Sequence, residues 1–365
     1  MSELHLPPAF RPLGTSGIAV SPIAWGMWRL AEDGRSAADA ARLVHAALDA
    51  GITFLDTADI YGFDGNGGFG DAEALLGQVL AAEPALRTRM VLATKGGILP
   101  PLPYDQSPDY LRKAIEDSLR RLQTDHIDLL WAHFWDRHTP VEEMMSAMDF
   151  LVKQGKVRYL GLSDHPAWVV TKCQYTALMR GWEPLCALQI EYSLLQRTVE
   201  GDLMTMARDL GLGVTPWSPL RGGVLSGKFD RDTPPPADGS TRVKKESNYL
   251  NERTYAIVDL LRAIAAERGC TAPQVALRWL LDQRGVTSVI IGARHLNQLH
   301  DNLGCCAVKL TEDDHRRLDE ASKVERPFPW DFLDFVRAGI QNGTTINGVK
   351  SEAWHLTPKS DAERH

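Results

Sequence analysis

The chain has 365 residues, 44% of them hydrophobic, with a formal net charge of -7 and a pI near 5.9. That balance gives no basic footprint for nucleic acid or an anionic membrane surface. No apolar run approaches the roughly 18 residues that cross a bilayer, and the opening MSELHLPPAF lacks a signal-peptide core. A soluble, cytoplasmic protein with one large domain is expected, at a length that single domains reach mainly as α/β barrels. The five cysteines, Cys173, Cys186, Cys270, Cys305 and Cys306, form no CxxC pair. They fit a reducing compartment and read as packing residues.

Along the chain, short β-rich runs alternate with amphipathic segments. The runs are IAWGM, ITFLDTA, RMVLATKGG, IDLLWAHF, VRYLGLSD, LCALQIEYS, LGVTPWSPL and TSVIIGAR, eight in all. Between them, SPDYLRKAIEDSLRRLQ offers Ser107 as a cap, Pro108 at the first helical position, and Leu111, Ile115, Leu119 and Leu122 on one face. PVEEMMSAMDFLVKQG follows the same plan, with early acids and Gly155 as a stop. The runs are apolar at alternating positions of both parities, as parallel strands covered on both faces require. Eight such units predict a single-domain (β/α)8 TIM barrel over about residues 12–304, followed by a C-terminal helix and tail over about 305–365. An open doubly wound sheet is the alternative, but no GxGxxG follows the first strand.

In a barrel, function belongs at the carboxyl ends of the strands. The second run ends at Asp56, with Tyr61 in the loop behind it, the third ends at Lys95 and the fourth at His133. The two-residue period puts Trp131 and His133 on one face of their strand, so the imidazole is expected at the barrel mouth. A metal centre from His133, Asp136 and His138 fits no standard zinc spacing, and none is expected.

These four residues, in this order and at these strand ends, resemble the catalytic set of the aldo-keto reductase family. The resemblance runs from RPLGTSGIAVSPIAWG to VIIGARHLNQLHDNLG and includes GKVRYLGLSD, LQIEYSLLQR and WSPLRGGVLSGKF. HFWDRHTPVEEMMSAMDFLVKQGKV and DHPAWVV look closest to its aryl-alcohol dehydrogenase branch. The implied activity interconverts aldehydes or ketones and alcohols with NADP(H), NAD(H) being the alternative.

The chemistry suits the residue types. Reducing a carbonyl leaves an alkoxide that needs a proton, and a phenol with a pKa near ~10 donates well only if an ammonium stands beside it. Tyr61 is expected to be that acid, Lys95 the ammonium, Asp56 the counter-charge that keeps Lys95 protonated, and His133 a donor to the carbonyl oxygen.

The resemblance also implies cofactor contacts at Gly26, Met27 and Asp56, and at Ser163, Asp164 and Gln189 around the carboxamide. Trp217 would stack on the nicotinamide. Ser218, Leu220, Gly222 and Lys228 would wrap the pyrophosphate, and Gly292, Arg294, Gln298 and Asn302 would hold the adenosine phosphate end. Arg294 favours NADPH through a fork for the 2′-phosphate. Asp164 departs from the family's frequent asparagine, and Asp301 from its usual glutamate.

Trp28, Phe134 and Trp135 are expected to wall a small-molecule substrate pocket, joined by Phe328, Trp330 and Phe332 folding back from the tail. The proline-rich connection between Arg221 and Asn251 reads as a lid. Two other functions stay open: a nicotinamide-binding regulatory subunit with little turnover, as in potassium-channel β subunits of this fold, and a barrel hydrolase pairing Asp56 with Glu191.

Overall fold

Each of the eight predicted runs contains a strand of one parallel sheet in a computed structural model that describes residues 10–64, 67–98, 105–236, 243, 247–293, 295–358, 360 and 362. The chain divides into two units, Met1–Ser322 and Lys323–His365. In the first, an antiparallel hairpin of β1 (Arg11–Pro12) and β2 (Ala19–Val20) precedes the barrel. The barrel strands are β3 (Ile23–Gly26), β4 (Phe54–Asp56), β5 (Val91–Gly96), β6 (Ile127–Ala132), β7 (Val157–Ser163), β8 (Leu185–Glu191), β9 (Gly213–Trp217) and β10 (Val289–Ile291). Neighbours in sequence are neighbours in the sheet, and β10 returns to pair with β3. Between β9 and β10 the ring closes through a parallel bridge from Val214 to Val286 and a Thr287 N–H to Val214 carbonyl bond of 2.8 Å.

The alternation within each strand explains why both parities are apolar. Leu55, Leu92, Leu130, Leu160, Leu162 and Leu188 face outward into the layer between sheet and helices. Ala24, Phe54, Ala93, Leu129, Trp131, Ala187 and Ile290 fill the barrel interior. Trp131 fits there because its neighbour on β7 is Gly161: a Cβ at that position would lie 2.5 Å from the indole.

The helical layer comprises α1 (Ala37–Asp49), α2 (Asp71–Ala82), α3 (Pro108–Leu122), α4 (Val141–Lys153), α5 (Ala167–Arg180), α6 (Asp202–Asp209), α7 (Glu252–Arg268), α8 (Ala272–Leu281), α9 (Leu296–Leu303) and α10 (Glu312–Ser322). Helix α3 buries Leu111, Ala114, Ile115 and Leu122, with Leu119 packed at the margin. Ser107 does occupy its cap position, but its side chain makes no capping bond; its N–H instead donates to Asp105 Oδ1 at 2.7 Å. Gly155, just past α4, takes the left-handed φ of +73° that ends the helix.

The β1–β2 hairpin seals the amino-terminal end of the barrel. Leu13 and Val20 join the interior cluster, and any side chain at Gly14 would collide with the Cys186 carbonyl. Arg11 fastens the hairpin through Nη1 bonds of 3.2 Å to the Leu281 and Val286 carbonyls. No helix among the described residues is long and apolar enough to cross a membrane. The second unit holds α11 (Trp330–Gln341) and a hairpin of β11 (Thr345–Ile346) and β12 (Val349–Lys350).

Candidate active site

The two-residue period that fills the barrel also chooses its rim. Continuing each interior face by two residues from Ala24, Phe54, Ala93, Trp131, Gly161, Ala187, Thr215 and Ile290 gives Gly26, Asp56, Lys95, His133, Ser163, Gln189, Trp217 and Gly292. Seven of these eight line a single cavity of about 380 Å³, and the eighth, Lys95, is bonded to residues that do. The strand ends therefore converge on one space because the apolar interior beneath them sets their parity.

At its floor lies a dense charged set. Lys95 is 0% exposed. Its Nζ donates to Tyr61 Oη at 2.9 Å, to the Thr57 carbonyl at 3.0 Å and to Asp56 Oδ2. The second Asp56 oxygen accepts from Gln189 Nε2 at 3.0 Å. Burial alone would drive Lys95 to shed its proton, but Asp56 and Tyr61 hold its pKa above the ordinary value of 10.5. Burial raises the Tyr61 phenol above 10.0; the Lys95 ammonium opposes this without reversing it. The expected lowering of the phenol is therefore present as a contribution, and desolvation outweighs it.

Tyr61 is placed by a turn in which its N–H bonds the Ala58 carbonyl at 3.1 Å, while its own carbonyl accepts from Ala72 at the start of α2. His133 is buried, and desolvation followed by the nearby Lys95 charge depresses its pKa well below 6.5, so the ring is neutral. Its Nδ1 is buried without a partner, which leaves Nε2 to meet whatever enters the cavity. Phe134 stacks on His133 at 4.1 Å and Trp28 leans over Tyr61 at 5.0 Å, and both rings line the cavity.

From this floor the lining runs along Ser163, Asp164, Trp217, Ser218, Leu220, Gly222 and Lys228 to Gln298 and Asn302 on α9. Gly222 and Gly223 adopt φ of +64° and +96°, a conformation open to glycine, and a Cβ at Gly223 would press on the Lys228 side chain. Asp164 accepts from Trp217 Nε1 at 3.1 Å and from Ser163 Oγ at 3.2 Å. Burial raises its pKa to about 6, despite these bonds. In the folded state Asp164 thus keeps a proton that the unfolded chain releases near 3.8, so its contribution to stability falls as pH rises between those values. Thermal melts of the unliganded protein are expected to show Asp164→Asn gaining on the wild type from pH 4 to 6, by up to about 3 kcal/mol, and levelling above. A stability difference that does not change with pH would refute this.

Some expected residues stand elsewhere. The Met27 side chain is wholly buried in the layer between barrel and helices, and only its N–H reaches the rim, bonding the Asp56 carbonyl at 2.8 Å. Trp135 turns from the cavity to an edge-to-face contact at 5.3 Å with Trp168 on α5. Arg294 and, within the expected lid, residues 237–242 and 244–246 lie outside the described residues. Phe328, Trp330 and Phe332 belong to the second unit. Glu191 stands beside Arg221, whose guanidinium lies 3.7 Å over the Tyr249 ring. Asp56, one acid of the hydrolase alternative, is bound by Lys95, and burial raises the pKa of Glu191, the other, to about 7.

The cavity also takes in Arg29, Ser226, Pro273 and Asp301. Two of them carry a sequence signal: Arg29 follows Trp28, and Asp301 stands where the family pattern usually has glutamate. Among the described residues no cluster of three histidine, cysteine or acidic side chains is placed to hold a metal.

A parallel eight-stranded barrel whose sealed interior ends in a phenol, ammonium, carboxylate and imidazole defines the class of the molecule, a (β/α)8 barrel with a buried ionisable set at its strand ends. The model of the Aldo/keto reductase family matches residues 22–323. The chain is 50% identical over 328 residues to 6-dehydroglucose reductase of Novosphingobium aromaticivorans, covering 89% of this chain and 99% of that protein. It is 36% identical to the uncharacterized oxidoreductase YrpG of Bacillus subtilis, over 84% of this chain and 94% of that one. It is 31% identical to probable aldo-keto reductase 1 of Glycine max, over 100% and 99%. The protein belongs to the aldo-keto reductase family, carbonyl-reducing oxidoreductases that use nicotinamide cofactors.

Proposed function

We propose that the protein interconverts aldehydes or ketones and their alcohols with NADP(H), using Tyr61 as general acid and base. The observation that carries this reading is the 2.9 Å bond from Lys95 Nζ to Tyr61 Oη at the floor of a cavity that His133 also lines.

The lining suits an extended dinucleotide. Ser163, Asp164 and Gln189 offer polar groups for a carboxamide and Trp217 a flat ring. The left-handed Gly222 and Gly223 let backbone approach a pyrophosphate, and Lys228 brings a positive charge. The bound cofactor supplies the hydride. Tyr61 holds the proton that the nascent alkoxide takes, and Lys95 stabilises the phenolate left behind. Asp56 keeps Lys95 charged, and the neutral His133 donates from Nε2 to the carbonyl oxygen, orienting it. In alcohol oxidation the same residues work in reverse, with Tyr61 phenolate as the base.

A hydroxylated, sugar-derived carbonyl is the substrate class we favour. The 50% identity to a 6-dehydroglucose reductase supports it, as does the pairing of Trp28 and Phe134, whose ring faces suit C–H edges, with the donor-rich Arg29. The test is titration of NADPH fluorescence followed by a panel of hydroxylated and aryl aldehydes and ketones at the nicotinamide absorbance. An unperturbed fluorescence would overturn the reading, and binding without turnover across the panel would favour the regulatory role.

The NADP(H) preference rests on the sequence position of Arg294. Arg294→Ala is expected to weaken NADPH by about 1.5 to 3 kcal/mol, the range for a charge-assisted hydrogen bond, while NADH binding stays nearly unchanged. Equal losses for both in a binding titration would remove the assignment.

A further inference from the structure

Behind the cavity wall lies a buried polar cluster that the chemistry above does not use. His165 is 2% exposed and follows Asp164 directly. Its Nδ1 lies 2.6 Å from the Ser163 carbonyl oxygen, and its Nε2 lies 3.3 Å from Gln106 Nε2. A carbonyl can only accept, so Nδ1 carries the proton. Burial keeps the ring neutral, with a pKa lowered to about 4, so the Nε2 lone pair accepts from the Gln106 amide. Both ring nitrogens are thus used and the tautomer is fixed. Gln106 is buried as well, and its N–H donates to Asp136 Oδ2 at 2.9 Å. The same carboxylate accepts from Thr139 N–H at 2.9 Å and His138 N–H at 3.0 Å, which closes the loop after β6 around it.

What this cluster holds is a strained turn. Asp164 sits at φ +52°, a left-handed conformation that few non-glycine residues adopt, aspartate and asparagine most readily among them. The turn persists because it is tied on several sides: Asp164 N–H to the Gln189 carbonyl at 3.1 Å, Trp217 Nε1 to its carboxylate, and His165 to the carbonyl just before it. Without the imidazole the Ser163 carbonyl would be a buried acceptor lacking this donor, and the peptide leading into Asp164 could rotate toward an extended conformation. Ser163 and Asp164 are the side chains such a rotation would move first.

We propose that His165 is a positioning residue for the nicotinamide end of the cofactor site, its Nδ1–H fixing the Ser163 carbonyl and hence the left-handed turn at Asp164, with Gln106 and Asp136 anchoring the ring from the adjacent loops. This rests on the nicotinamide reading above. A buried histidine serving only the fold would affect all ligands of the cavity alike, whereas a residue aimed at this turn acts on the nicotinamide alone.

The experiment is calorimetric titration of the full-length protein with NADPH and with 2′-phospho-ADP-ribose, which is the same molecule without its nicotinamide. His165→Leu is expected to weaken NADPH about 10-fold, the scale of one buried hydrogen bond, and to leave 2′-phospho-ADP-ribose unchanged. Retained binding of the latter shows that the variant is folded. His165→Asn, whose amide nitrogen can stand where Nδ1 stood, is expected to restore most of the NADPH affinity. Equal weakening of both ligands, wild-type NADPH affinity in the leucine variant, or an asparagine variant no better than leucine would each overturn the proposal. Wild-type protein that binds 2′-phospho-ADP-ribose but gains nothing from the nicotinamide would instead sink the reading on which it rests.

Discussion

Tyr61→Phe is expected to lower turnover by roughly 10²-fold or more while leaving the cofactor dissociation constant within about twofold. Among the described residues, the phenol oxygen is the group at the cavity floor that both carries a transferable proton and touches Lys95 Nζ. The imidazole of His133 is neutral and can orient a carbonyl, but its pKa is depressed too far for it to serve as the acid near neutrality. The phenylalanine ring preserves the contact with Trp28 and the fill of the cavity wall, so the lost rate isolates the proton. The measurement is steady-state reduction with saturating cofactor, alongside fluorescence titration of binding. Near-normal turnover in this variant would remove Tyr61 from the mechanism.

The lysine makes a second, two-sided prediction. Lys95→Met keeps the stem and removes the charge. Burial already holds the Tyr61 phenol above its ordinary value, and Lys95 supplies the opposing influence. The alcohol-oxidation limb, which requires phenolate, should therefore move to higher pH. Stability should fall too, by about 3–5 kcal/mol, because Asp56 is left charged and buried with only Gln189 and no cation. The pH dependence has a definite sign. The folded-state pKa of Lys95 is raised, so its contribution is present in full below 10.5 and is lost only as pH climbs through that raised value. Wild type and variant should accordingly differ by a constant amount across neutral pH in chemical denaturation. Adding Asp56→Asn should recover part of the stability and none of the rate, since the uncompensated charge is gone while the phenol remains unassisted. If the oxidation limb of Lys95→Met does not shift, another group tunes the phenol and Lys95 serves structure alone.

The barrel was legible because its signal is periodic. Alternating apolar residues of both parities specify strands covered on both faces, and the same parity carried two residues further picks out Asp56, Lys95 and His133 without reference to any contact. Loop side chains have no such rule. Phe134 and Trp135 are adjacent and chemically alike, yet one meets the cavity and the other Trp168, a choice made by packing against α5 that spacing does not encode. Nor could spacing show that desolvation outweighs the ammonium at Tyr61, because that balance depends on how completely the fold excludes water. Asp164 stood out as a departure from the family pattern, but the left-handed turn it occupies, and the neighbour that braces it, emerge only when residues 106, 136 and 165 are brought together. Met27 illustrates the opposite limit: its backbone reaches the rim while its side chain belongs to the core, and a residue name in a motif does not say which part of the residue matters.

The hairpin at the foot of the barrel has a consequence for traffic. With Leu13 and Gly14 stoppering that end, the described residues leave the cavity at the strand ends as the way in, so on the proposed reading both reactants reach Tyr61 from the same side. Ser163, Gln189 and Trp217 stand at the strand ends, whereas Trp28 and Phe134 sit on the loops beyond them. A guest held by the first group occupies the inner berth and one held by the second stands in the entrance. On the proposed reading, a guest at the inner berth is covered by whatever stands in the entrance, so the architecture itself would set the order in which the two come and go.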